Sequence, residues 1–569
     1  MAIKLTSSTD ARGLRCSRTE PCESCQQAQQ ICEYRDDDRK RRPASRQYVT
    51  SLENHVASLE SLLMRIKVAS PEGRDKLLEG VSLDQWLDVP TASPVESSDT
   101  TAESDIRLVG EQKKNHSSGL QACPQGLLIY HGPTSIYRIR TGGPPPSSVD
   151  ATSSEGQFDH VAEHFGINLE DELVAVAIRQ FFRWQYPHFM FINREAFLRD
   201  HFGSRAKSRY WSLPLLLAIC ALGTVMSPDR TQAHMSEQFY AAAESIVIVS
   251  GLTHPSITAV QVFLCLAFYQ IGKGDLSKGW ELSGVAFRMA QDLGFQKDPQ
   301  QWIASDASIA TAEDIEIRRR IYWGCYTSDK IISLVLGRPV QLYDADGEVE
   351  HTGYLPDLPE MIPWLPAGAD VSQMHETGSR GRSERSMACF SEHIRLSKFI
   401  EGVLCTLFSS KFRAHELSGL SPIDNLDLSL CRWQESLPDC IKWNRWEPPS
   451  APLLPSVAAL FILFNSTRIA LHLDRINESS SSEQAQSISR SVCASSAQDV
   501  VALVRHYRTQ HGLDHAPLMF IYGIVQAHRA MKALEVTPQE ATYLVQSLDE
   551  CCVAWGLAVE ARAHLYEKY

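Results

Sequence analysis

No apolar run in this 569-residue chain reaches the roughly 20 residues that a bilayer-spanning helix needs. The longest, LPLLLAICALGTVM over Leu213–Met226, has 14 and reads as a buried helix. The opening MAIKLTSSTDARG has no apolar core of signal-peptide length, so neither a secretory leader nor a membrane partner is expected. In a reducing compartment clustered cysteines point to metal rather than to disulfides, and the sequons at Asn115, Asn465 and Asn477 carry no meaning. Catalytic signatures are missing too. There is no H-E-x-x-H, no G-x-S-x-G and no G-x-x-x-x-G-K-[ST]. GKGDLSKG over Gly272–Gly279 carries glycines at the wrong spacing to cradle phosphate. The histidines are scattered singly and read as structural, and the chain is not expected to be an enzyme. Strand patterning is sparse, and no period of 20–50 residues marks a solenoid.

Charge is scarce in one sign. The net −13 argues against a protein that coats nucleic acid throughout. Residues 1–66, however, hold 11 Lys or Arg against 9 Asp or Glu, a net +2, which leaves −15 for the remainder. Any contact with phosphate is therefore expected from the front end.

That front end holds four of the chain's 15 cysteines within 17 residues, CSRTEPCESCQQAQQIC, where an even spread would place fewer than one. Cys22 and Cys25 form a C-x-x-C, whose two thiolates on one tight turn suit tetrahedral zinc. A helix beginning there carries Cys32 back toward the metal after about two turns. Pro21 forces a turn into the chelate, and Cys16 precedes it by six positions. The four spacings suit one zinc ion; unrelated surface thiols are the plain alternative. A charged connector follows. Then Val49, Leu52, Val56, Leu59, Leu63 and Ile66 alternate at spacings of three and four, an a/d seam of about two and a half heptads. It pairs two chains or packs as one amphipathic helix on the body. After it, TASPVESSDTTAESD and TGGPPPSSVDATSSEG mark a linker. Two islands interrupt it, VSLDQWLDV (Val81–Val89) and LLIYHGPTSIYRI (Leu127–Ile139), the second alternating enough for a short strand. Each is a partner-binding element or a segment docked on the main domain.

Cys16-x5-Cys22-x2-Cys25-x6-Cys32, a proline before the second of these, a basic connector and a short heptad helix together resemble the fungal binuclear zinc cluster transcription factors. The family pattern is C-x2-C-x6-C, a loop, then C-x2-C-x6-C, and it implies two zinc ions per module. Cys16 matches its third cysteine, and Cys22, Cys25 and Cys32 its fourth to sixth; Thr6 and Thr9 stand near where the first two belong. With four thiolates the family's two-zinc arrangement cannot form, and one zinc or none is expected. The resemblance implies that a helix end meets a CGG triplet in the major groove. Since arginine reads guanine bidentately, Arg12 and Arg15 are the candidates, with Arg18 in the next loop. Arg39, Lys40, Arg41 and Arg42 in the connector contact phosphates, or form a nuclear import signal or a solvated linker.

The resemblance runs on. KGWELSGVAFRMAQDLGF (Lys278–Phe295) and EIRRRIYWGCYTSDKIISLVLGRPVQL (Glu316–Leu342) resemble the fungal-specific transcription factor domain. YHGPTS (Tyr130–Ser135) and FFRWQYPHF (Phe181–Phe189) resemble its nitrogen-assimilation-regulator-like branch. Read by packing alone, Trp280, Val285, Met289 and Leu293 form one helical stripe, and Ile317, Ile321, Tyr322, Tyr326, Ile332 and Leu336 another. Arg318, Arg319 and Arg320 follow Glu313, Asp314 and Glu316 and are expected in salt bridges or caps rather than on DNA. Cys220, Cys265 and Cys325 read as small core residues. Helices are expected near 213–225, 257–271, 280–293, 315–336, 389–411, 453–473, 492–508, 517–533 and 540–565, with stops at Ser227-Pro228, His254-Pro255, Gly294 and Gly337-Arg338-Pro339.

The expectation is a mostly α chain: a zinc module over 1–34, a basic connector over 35–47, a coiled-coil dimerisation helix over 48–67, a mostly disordered linker over 68–157, and an all-helical regulatory domain over 158–569. The function expected is that of a dimeric, nuclear, DNA-binding transcription regulator contacting the transcription machinery, controlling a metabolic or secondary-metabolite gene set. Two readings stand beside it. One is a relative that still dimerises and no longer reads DNA. The other is a start or intron boundary that leaves out an exon with the first two cysteines.

Overall fold

Short polar residues stand just before the apolar runs, and in the computed structural model they become helix caps. The structure describes residues 120–122, 128–130, 158–186, 188, 190–203, 208–227, 233–298, 311–349, 379–408, 421–446, 453–476, 482–535 and 538–566. All fall within one compact unit, Lys114–Tyr569. Among the described residues a two-stranded hairpin precedes fifteen α-helices. The hairpin pairs β1 (Leu120–Ala122) with β2 (Leu128–Tyr130), antiparallel, with Leu120 opposite Tyr130. It lies in the stretch expected as a linker and overlaps the second island. The Lys297 ammonium sits 5.6 Å from the Tyr130 ring, so the described part of this island, Leu128–Tyr130, is docked on the helical body.

The helices are α1 (Asp159–His164), α2 (Glu172–Gln180, continued by a π turn over Phe181–Gln185), α3 (Arg194–Phe202), α4 (Leu213–Val225) and α5 (Ala233–Ser250). Next come α6 (Ile257–Lys273), α7 (Leu276–Asp292), α8 (Ala312–Leu336), α9 (Ser379–Phe408) and α10 (Pro422–Glu435). The last five are α11 (Pro455–His472), α12 (Glu483–His511), α13 (Leu518–Ala533), α14 (Pro538–Cys551) and α15 (Gly556–Tyr566). Asp171, Asn193, Ser212, Ser256, Asp275 and Ser482 each accept a first-turn backbone N–H of the helix they precede. Thr311 and Asp314 make a reciprocal capping box at the start of α8. Gly337, at φ 61°, ends α8 in the left-handed region that glycine enters without strain, and Pro339 prevents continuation.

Two helices with apolar residues on every side form the centres. α4 is enclosed by α2, α5 and α6; α11 is enclosed by α9, α12 and α13. The window around α11, Pro455–Ile476, has the length and hydropathy of a membrane span, with mean hydropathy 1.4, yet 83% of it is buried inside the protein, as in the core helix of a globular domain. The α8–α9 pair joins the two halves, and α15 returns to pack on α6.

That return explains the first glycine of GKGDLSKG. The indole of Trp555, fully buried, lies against Gly272, where any Cβ would overlap the ring. Its Nε1 donates to Ala516 O at 2.8 Å. The last expected helix, 540–565, accordingly breaks between Cys551 and Gly556, where the chain turns to deliver this tryptophan. The sequence reading also omitted α3, α5 and α10, and it misplaced one face of α7. Trp280 and Val285 are only half-buried, whereas Gly279, Leu282, Ala286, Phe287, Met289 and Ala290 form the buried side. Small residues there let α6 and α7 approach closely.

Candidate functional site

The triple arginine of α8 is inward-facing. Arg319 Nη2 lies 3.0 Å from Asp298 Oδ1 and Nη1 lies 3.1 Å from Glu316 Oε1. Arg320 is buried and donates to Tyr186 Oη at 3.2 Å. Arg318 stacks 5.3 Å from the Phe295 ring centre, and burial pushes its pKa down to about 10. Asp314, besides capping α8, takes Arg209 at 2.7 Å and the Tyr210 hydroxyl. Burial works against its ionisation, but hydrogen bonds from Tyr210, Arg209 and Thr311 hold its pKa well below the usual carboxylate range. These cations therefore hold the body together, as their neighbouring carboxylates in sequence suggested.

Two turns further along, TSDK becomes a lock. Asp329 and Lys330 side chains are both fully buried, 2.9 Å apart. Lys330 Nζ also lies 3.3 Å from Glu401 Oε2, donates to Leu342 O, and sits 4.1 Å from the Tyr326 ring centre. Asp329 accepts the backbone N–H groups of Gln341 (3.1 Å) and Leu342 (3.0 Å). Tyr326 donates to Glu401 at 2.8 Å. The GRP that ends α8 thus folds the chain back so that two orphan amides cap a buried carboxylate. The most distinctive stretch of the body is a structural device, with every group in it already occupied by a partner.

One cluster has the outline of a nucleophile system. His472 Nδ1 is 3.0 Å from Ser489 Oγ, and His472 Nε2 is 3.6 Å from Asp427 Oδ1. His472 and Ser489 are fully buried, and Asp427 is held bidentate by Arg468 at 2.7 and 3.0 Å. With the hydroxyl sealed in the core, no substrate reaches it, and the arrangement satisfies buried polar groups. His188 and His393 are likewise interior: burial drops their pKa values to about 3 and about 4, so both are neutral. Cys220, Cys265 and Cys325 are buried free thiols raised far above their usual pKa by burial, which suits core packing and not metal ligation. Among the described residues no three His, Cys, Asp or Glu side chains gather as metal ligands.

An open cleft of about 190 Å³ lies between the turn Trp443–Trp446, the end of α10 and the middle of α12. Arg445 Nη1 is 3.2 Å from Asp499 Oδ1 and 3.3 Å from Ser495 O. The guanidinium covers one face of Trp446, 4.6 Å from the ring centre, while that indole is 79% exposed. Trp443 is the rigid wall: buried, 5.6 Å from the Phe461 ring centre, and donating from Nε1 to His506 Nδ1 at 3.3 Å. Sequence reasoning passed over this site. Its only signal is KWNRWEPP, two tryptophans around an arginine, beside an aspartate 53 residues beyond Trp446 that no local pattern connects to it.

The expected zinc ligands Cys16, Cys22, Cys25 and Cys32, the basic residues Arg12, Arg15, Arg18, Arg39, Lys40, Arg41 and Arg42, and the seam Val49, Leu52, Val56, Leu59, Leu63 and Ile66 all lie outside the described residues. So does the island Val81–Val89.

The described body is helical and locked by internal ion pairs. Comparison with known proteins identifies its family. Residues 178–433, from the end of α2 to Trp433 in α10, match the fungal specific transcription factor domain. An uncharacterised transcriptional regulatory protein of Schizosaccharomyces pombe is 29% identical over 558 residues, covering 96% of this chain and 82% of its own length. A second from the same yeast is 37% identical over 347 residues, 61% of this chain and 89% of its own. A nitrogen assimilation transcription factor of Neurospora crassa is 26% identical over 417 residues, 68% of this chain and 36% of its own. No solved structure matches. The chain belongs to the fungal specific transcription factor family, and it is a transcription regulator rather than an enzyme.

Proposed function

We propose that this regulator acts in the nucleus by binding DNA through residues 1–34, with Cys16, Cys22, Cys25 and Cys32 on zinc, and that it dimerises through the seam from Val49 to Ile66. The observation that carries the reading is the extent of the likeness to transcriptional regulators. A match over 96% of the chain leaves out only 4% of 569 residues, about 23, so the likeness is not confined to the helical body. The body's match to the transcription factor domain supports the same assignment.

The donor set decides the metal stoichiometry. Four thiolates complete one tetrahedral zinc site and fall short of the six that the family's two-ion cluster uses. Bound there, zinc would fold a module too small to build a core of its own. Arg12 and Arg15 would read guanine edges of a CGG-type half-site, and Arg18 and Arg39–Arg42 would contact phosphates. Pairing through the seam would fix the spacing of two half-sites, while the body contacts the transcription machinery.

The test is zinc per chain by elemental analysis of the full-length protein, alongside anisotropy titrations of duplexes carrying paired CGG half-sites over a salt series. One zinc per chain with affinity that falls steeply with salt is expected. Two zinc ions would refute the ligand count. Zinc without salt-sensitive affinity would favour a second reading, a dimerising regulator that no longer reads DNA, for which Thr6 and Thr9 at the places of two cysteines are the specific observation.

A further inference from the structure

We propose that the cleft between the Trp443–Trp446 turn and α12 binds a free α-amino acid, its ammonium on Asp499 and its carboxylate on Arg445. Charge is the first argument. One cation and one anion line the cleft, 3.2 Å apart, with side chains 19% and 22% exposed. A ligand bearing only a cation would satisfy Asp499 and take it from Arg445; a ligand bearing only an anion would do the reverse. Removing one partner from a half-buried pair costs more than the pair itself contributes. A zwitterion inserts between the two and leaves each facing an opposite charge. In an α-amino acid the two groups hang from one carbon, close enough to meet partners that already sit together.

Compensation is the second argument. Burial raises the pKa of Asp499 even though Arg445 and Arg468 act to lower it. An ammonium beside Asp499 would add a further opposite charge to those that Arg445 and Arg468 already supply against burial. Size is the third. About 190 Å³ lies below the ~300–1,000 Å³ of pockets that hold drug-sized ligands, which suits a small metabolite and excludes a nucleotide. The exposed indole of Trp446 offers an apolar ledge for the side chain, while Gln434 and Asn444 at the rim supply amide groups.

Calorimetric titration of the full-length protein, without DNA, tests this independently of the zinc and DNA reading. The ligands are L-alanine, L-serine, L-leucine, L-lysine and L-glutamate, with propylamine and propionate as single-charge analogues. At least one amino acid is expected to bind about tenfold or more tighter than either analogue. Asp499→Asn and Arg445→Gln should each weaken it by about tenfold or more. Trp446→Ala should weaken it by about threefold while leaving the melting temperature unchanged, because that ring lies mostly outside the packed core. No binding by any of the five at about 10 mM, equal binding by an analogue, or full affinity in Asp499→Asn would overturn the proposal. If either charge variant fails to fold, Trp446→Ala and the analogue comparison decide.

Discussion

Replacing Asp329 by alanine tests the lock at the end of α8. The substitution removes the carboxylate 2.9 Å from the fully buried Lys330 and the acceptor for the Gln341 and Leu342 amides. Leaving a buried charge without its partner costs about 3–5 kcal/mol. Two amides deprived of an acceptor add about 1–3 kcal/mol each where water cannot replace it. Lys330 keeps Glu401 at 3.3 Å and the Tyr326 ring, which holds the total toward the lower end, at about 5 kcal/mol. That is a large fraction of the ~5–15 kcal/mol that separates folded from unfolded protein. A control comes from the surface pair Lys273–Glu237, 2.8 Å apart but with side chains 44% and 66% exposed, where Glu237→Ala should cost less than about 1 kcal/mol. Urea unfolding of the full-length protein reads the global difference. Hydrogen exchange reads the local one: Gln341 and Leu342 should lose protection in Asp329→Ala and keep it in Glu237→Ala. A loss below about 1 kcal/mol, or unchanged exchange at those two amides, would refute the account of the GRP stretch as a lock.

Two further outcomes follow from the same packing logic. Trp555→Ala should cost about 3–5 kcal/mol in urea unfolding, by opening a cavity against Gly272 that the rigid α6 backbone cannot refill. Gly272→Ala should also destabilise, because its methyl group would occupy the place of the indole. For pH, His188 and His393 fall to about 3 and about 4 in the folded protein, against an ordinary value near 6.5 when unfolded. The unfolded chain therefore binds more protons across that window, and stability must drop as pH falls from about 6.5 toward 4. His393→Gln should flatten this slope, measured as urea midpoints from pH 7 to pH 4.5; an unchanged slope would show that His393 charges in place.

Legibility in the sequence followed the range of the interaction. Gly337-Arg338-Pro339 announces the end of α8 and stands where pattern reading put it, while the capping box at Thr311 and Asp314 starts the helix at Ala312, ahead of the expected 315. The three arginines of α8 face inward as expected, but only Arg319 uses a carboxylate of the preceding turn, Glu316, whereas Arg320 meets Tyr186 and Arg318 the Phe295 ring. What stayed hidden depends on distant chain. α5 buries Ala242, Ala243, Ile246 and Val247 among small residues that leave a weak apolar rhythm. Gly272 has no local reason to be glycine; its reason is Trp555, almost 300 residues away. The cleft joins a turn at Arg445 to a helix position at Asp499, and neither residue predicts the other.

The arrangement of cations carries a consequence for how the chain divides its work. Residues 67–569 hold a net −15, so a phosphate backbone approaching them meets repulsion on average. The body's arginines do not offset this locally. Arg319, Arg320, Arg468 and Arg475 are turned onto Asp298, Tyr186, Asp427 and Asp424 inside the fold. Arg199 and Arg209 are paired with Glu313 and Asp314. These six arginines are committed to internal partners and offer little attraction for nucleic acid. On the proposal above, residues 1–66, with their net +2 and the run Arg39–Arg42, supply the affinity for DNA. On that basis, neutralising Arg39, Lys40, Arg41 and Arg42 should weaken binding and flatten its salt slope, while Arg319→Gln should leave the salt slope unchanged and lower only stability.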